Sequence, residues 1–158
     1  MSDAARIRYS STPFPPYSYV PGSGTPHPVS DPRGHMHGVE HELPKPLDTN
    51  HWATNETYLY AVDLFNHGYY WEAHEAWESL WHAAGHKGVM ADFLKGLIKL
   101  AAAGVKHSEG NAAGVERHLK RACELLGVVN EQNFCGIDFA KLREQIAVLD
   151  SKFPQDFV

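Results

Sequence analysis

Nine of the ten prolines in this 158-residue chain fall between Pro13 and Pro46, and that clustering limits the fold more than any other feature. Proline lacks a backbone donor and excludes the helical conformation from the residue before it, so residues 1–50 cannot hold a long helix. The remaining one, Pro154, stands near the C-terminus. The chain therefore reads as an extended Pro- and His-rich arm over 1–50 and a helical domain over 51–158. Tyr9, Phe14, Tyr17 and Tyr19 give the arm apolar area that a fully solvated tail would lack. It is expected to lay these aromatics on the helical body, with its first few residues frayed. The same four aromatics leave a homodimer open.

From Trp52 onward apolar residues recur at helical spacing. Thr54 or Asn55 can cap a first helix to about Asn66, with Tyr58, Ala61, Val62 and Phe65 on one face and Gly68 at its end. A second runs from about Tyr69 to Ala84, its stripe set by Tyr70, Ala73, Trp77, Leu80 and Trp81, and Gly85 stops it. A third, about Met90 to Ser108, is apolar around most of its circumference except for Lys95, Lys99 and Lys106, so it should be central. Small residues from Ala101 to Gly104 let a neighbour approach closely. Gly110 or Asn111 breaks the chain before a fourth helix to about Leu126, where Cys123 is read as packing. Asp138 can cap a fifth that ends near Phe153. Short glycine turns pair the first two helices and the next two as αα-hairpins. The expected fold is all-α, a compact bundle of about five helices with the extended arm.

Composition excludes several classes. A formal charge of −5 argues against nucleic acid, whose phosphates are bound mainly by Lys and Arg. No apolar run is long enough to span a bilayer, and none follows the N-terminus as a signal peptide would. Cys123 and Cys135 match no metal or redox spacing, and two unpaired thiols suit a reducing compartment, so a cytoplasmic location is expected. No Gly-x-Gly-x-x-Gly follows a strand, and no Walker lysine loop or Gly-x-Ser-x-Gly occurs. Neither Glu75 nor Glu78 has a histidine three residues later, which a ferritin-type di-iron site would want.

The unusual count is histidine, at eleven. His74 and Glu78 are four apart on the second helix and so share a side, with Glu75 adjacent. An imidazole and a carboxylate one turn apart can share a metal ion, and a neighbouring carboxylate can deprotonate a bound water. The order His-Glu-x-x-Glu copies the zincin pattern with its second histidine replaced. His107, on the third helix, is the candidate for a further ligand, and His67 a weaker one. His27, Asp31 and His35-Met36-His37 offer metal-type spacing in the arm. The competing reading is a polar network that fixes helix packing: acids favour the first turns of a helix, and His107 can cap carbonyls.

The string LFNHGYYWEAHEAWESLW from Leu64 to Trp81, with FLKGLIKLAAA from Phe93 to Ala103 and the later Gly110-Asn111 and Gly114-Val115, resembles the family called domain of unknown function 309. The resemblance covers roughly Tyr58 to Leu126. It implies a small all-helical fold, and some members are labelled predicted metal-dependent hydrolases. His74, Glu75, Glu78 and His107 stand at matching positions. The leading expectation is then a His/Glu site that takes Zn, Mn or Fe and hydrolyses an unknown small molecule, with His74, Glu78 and His107 as ligands and Glu75 as general base. The alternative is a helical protein-interaction or structural module whose His/Glu residues serve packing.

Overall fold

Residues 6–147 and 153–158 are described by the computed structural model. Local signals set the helix limits. The Asn55 side chain accepts from Tyr58 N at 3.0 Å and opens α1, Glu56–Asn66. Gly68, at φ 85°, makes the left-handed turn into α2, Tyr70–Ala83, and Gly85, at φ 74°, follows that helix. The third helix is α3, Val89–Ser108. Asn111 accepts from Gly114 N at 2.9 Å and starts α4, Ala112–Leu126. Asp138 accepts from Lys141 N at 3.1 Å at the head of α5, Phe139–Ala147. Among the described residues the fold is all-α, a five-helix bundle with one very small sheet.

α3 is packed on both sides, against α2 and against α4, as its nearly continuous apolar surface requires. Its glycines set the approach. A Cβ at Gly104 would lie 2.4 Å from the ring of Tyr70, and one at Gly96 would lie 2.7 Å from Leu126. The Gly104 contact seats the first residue of α2 against α3 and so fixes the helix that carries His74. Trp77 and Leu80 of α2 enter the core with Tyr58, Phe65, Phe93, Leu97 and Leu100, all fully buried.

Two features depart from the helical reading. Strands β1, Asn133–Phe134, and β2, Ile137–Asp138, form an antiparallel hairpin in the polar stretch after α4. Its turn residues, Cys135 and Gly136, both have positive φ (47° and 78°), the conformation that a tight two-residue hairpin needs. The expected end of the fifth helix runs into 148–152, outside the described residues, and Phe153 itself is not helical. Phe153 and Phe157 instead return to the core against Phe65.

Ile7 to Asn50 contains no helix or strand. The segment touches the helices through specific polar bonds and aromatic contacts. Phe14 stacks on Tyr69 with centroids 5.0 Å apart, and Tyr19 meets Trp71 edge-on at 5.5 Å. Tyr60 donates to the Pro13 carbonyl at 2.9 Å, and Ser18 to that of Gly68 at 3.1 Å. The expectation about the first few residues falls on 1–5, outside the described residues.

Candidate functional site

α2 carries its polar residues on the side away from Trp77 and Leu80, and three of them converge. His74 Nδ1 lies 3.5 Å from Glu75 Oε1 and 3.6 Å from Glu78 Oε2. One ligand atom from each of the three residues falls within 4.8 Å of the others, the one such group among the described residues. The side chains are 30%, 35% and 38% exposed, so their charges are largely hydrated and the ion pairs alone contribute little to stability. His74 Nδ1 itself is buried and has no hydrogen-bond partner. Its ring is exposed elsewhere, and the nitrogen facing the carboxylates is the enclosed one.

That orphaned nitrogen tests whether a metal would fit. Two ligands about 2.1 Å from a tetrahedral ion stand about 3.4 Å apart. The separations of 3.5 and 3.6 Å from Nδ1 are close to that value and too long for good hydrogen bonds. An imidazole with two carboxylates suits a divalent cation of intermediate softness. The donor set therefore fits.

His107 is not brought to this group. It stands exposed at the C-terminal end of α3, with its ring 5.3 Å from that of Phe153. The C-terminal residues that fold back onto the core supply that aromatic neighbour, and the sequence pattern had placed Phe153 at a helix end instead. His67 is committed too, its Nδ1 2.8 Å from the Asp63 carbonyl at the end of α1. The N-terminal histidines do not assemble with Asp31. His27 Nδ1 accepts from Val29 N and Ser30 N, and His37 Nδ1 lies 2.8 Å from the Val29 carbonyl. Asp31 pairs with Arg33, which holds its carboxyl down at about 2. Cys123 is exposed, not packed.

Two residues acquire importance only in the structure. His35 reaches α2 and places Nε2 3.0 Å from Glu72 Oε1, which also accepts from Tyr19 N at 2.8 Å. Glu72 is 4% exposed, and burial pushes its carboxyl above the ordinary range despite these two donors. Its other oxygen, Oε2, has no partner. On sequence Glu72 reads as a first-turn acid favoured by the helix dipole, and nothing in the helical period marks it as buried. His118 of α4 likewise belongs to no motif in the sequence. Burial first, then Lys99, Arg117, Lys106 and His74, hold its imidazole below the usual range, so it stands within electrostatic reach of His74.

Glu72, Glu75 and Glu78 all line one groove of about 750 Å³ between α2, α1 and the N-terminal segment. Farther along α2, His82 Nε2 is 3.9 Å from Glu78 Oε1, and His82 Nδ1 is 2.7 Å from His86 Nε2. Together the fold and site define an all-helical protein with a groove-side His/Glu group able to hold a metal ion. Residues 58–118, from α1 through the first half of α4, match the model of the family described as Domain of unknown function (DUF309). No curated protein matches the chain. No helix among the described residues is long and apolar enough to cross a membrane.

Proposed function

We propose that His74, Glu75 and Glu78 form a divalent-metal site, and that the protein is a metal-dependent hydrolase acting on a small molecule in the adjoining groove. The observation that carries this reading is the buried, unpartnered His74 Nδ1 facing two carboxylate oxygens at near-ligand separations. A bound ion would supply a water acidified toward neutral pH and polarise a substrate carbonyl or phosphoryl oxygen. His74 Nδ1 and one oxygen each of Glu75 and Glu78 would hold the cation, and Glu75 and Glu78 also line the groove. The second oxygen of Glu75 would serve as the general base toward a water in the groove. His107 has no part in this version of the site.

The rival, a polar network serving packing, draws support from the continuation of the group into His82 and His86, as on an ordinary solvated helix face. Elemental analysis of untagged protein, with Co(II) titration followed by its visible spectrum, separates the two. About one equivalent of bound metal, lost in both His74→Ala and Glu78→Gln, is the expected result. Less than a tenth of an equivalent, with no thermal shift on adding Zn, Mn, Fe or Co, sinks the metal reading.

A further inference from the structure

We propose that the groove beside α2 is a binding site for an organic cation, a primary amine on a short apolar stem, with Glu72 as its anchor. The inference goes beyond the metal reading, because Glu72 and His35 lie outside the His74 group.

The groove is acidic, with three histidines, His35, His41 and His82, beside its carboxylates. Its lining carboxylates are Glu42, Glu72, Glu75 and Glu78, and no lysine or arginine lines it among the described residues. Arg8 stacks over the lining residue Phe14, at 4.0 Å from the ring centroid, but its guanidinium is committed to Asp63. Acidic walls alone would mark only a hydrated surface. Glu72 supplies the second observation. Its side chain is 3% exposed, and Oε1 is held by Tyr19 N–H and by His35 while Oε2 has no partner. A carboxylate fixed through one oxygen and left without a donor on the other has its vacant acceptor positioned in advance. A donor that is also cationic satisfies it best, since hydrogen bonds between ionised groups are about twice as strong as neutral ones.

The rest of the groove selects the body of the ligand. Phe14, Pro16 and Tyr60 offer apolar walls to an alkyl stem. Glu72, Glu75 and Glu78 follow every third residue, so each step advances about 4.5 Å along the helix. In the metal-free protein a second amine at the far end of a short alkyl chain therefore comes within reach of Glu75, one step from Glu72.

Isothermal titration of the full chain in chelator, with putrescine as probe and n-butanol and butyrate as controls, tests this without reference to the metal. Putrescine should bind with one-to-one stoichiometry and the controls should not. Glu72→Gln should weaken binding about tenfold or more, the loss expected for an anchoring charged hydrogen bond. Ala76→Lys places a tethered ammonium one turn after Glu72 on the same helix face, the favourable order for such a pair. It should abolish putrescine binding and raise Tm. No binding by the wild type at millimolar putrescine overturns the proposal, as does unchanged affinity in Glu72→Gln. If Glu72→Gln does not fold, Ala76→Lys decides: wild-type affinity there overturns the proposal, and its loss in a folded variant upholds it.

Discussion

Asp63 at the end of α1 and Glu72 at the start of α2 are both carboxylates buried under the N-terminal segment, yet one is saturated and the other is half-filled. Asp63, fully enclosed, accepts from Tyr9 N at 2.8 Å on one oxygen. On the other it takes Ser10 N at 2.9 Å, Ser10 Oγ at 2.6 Å and Arg8 Nε at 3.4 Å. No acceptor remains for anything from outside. Glu72 spends both of its donors on Oε1 and leaves the buried Oε2 without a partner, in a residue that lines the groove with Glu75 and Glu78. Both sites bury a carboxylate with the same stretch of chain, and the difference shows what each is for. Asp63 is a clasp, because its cost of burial is offset within the fold. Glu72 retains an acceptor that no protein donor meets.

The contrast makes its sharpest prediction at Asp63. Asp63→Ala should cost about 3 kcal/mol in chemical denaturation, since it strands Arg8 and removes every bond to Tyr9 and Ser10 together. Proteolysis within residues 6–12 should accelerate in parallel. A cost below about 1 kcal/mol would mean that the clasp does not hold the segment. Glu72→Gln should behave in the opposite way and, at neutral pH, leave stability unchanged or raise it by up to about 1 kcal/mol, because an amide relieves the buried charge.

Acid should bring out the same difference. Burial raises the folded Glu72 pKa above its ordinary 4.5, so the folded state holds this proton more tightly than the unfolded chain. The stability it contributes is fully present below about pH 4.5 and is lost as pH rises through the folded value. The neighbouring groups that carry charge or titrate are His35, in contact with it, and Tyr60, which interacts with it through charge. Denaturant melts of chelated wild type and Glu72→Gln across this range should show the wild type's relative stability falling with rising pH. A flat difference would mean that Glu72 is not desolvated in the folded state. The smallest effect belongs to His107. His107→Ala should cost a few tenths of a kcal/mol, from its contact with Phe153, and leave Co(II) affinity unchanged. A loss of metal there would restore it as a ligand and break the present geometry.

How much could be read in advance depended on range. The first four helices begin and end where Asn55, Gly68, Gly85 and Asn111 place them, because capping and left-handed turns are settled by a few adjacent residues. His74, Glu75 and Glu78 meet for the same reason: one helix carries all three, and its period alone brings them together. The hairpin at Cys135-Gly136 was illegible because a cysteine at positive φ has no local signature. The exposure of Cys123 escaped because the apolar stripe of α4 does not say how far its neighbours extend around it.

The sequence by itself determined the helices, their breaks, the aromatic core stripe and the local His/Glu group. Only the tertiary structure decided that His107 turns to Phe153, that Asp63 is a filled clasp and that His35 meets a half-filled Glu72. Each of these depends on where proline-rich or C-terminal chain, free of any helical period, comes to rest on the bundle. Periodicity predicts which face of a helix seeks the core. It carries no information about which distant segment covers the other face, and here the candidate chemistry lies on that other face.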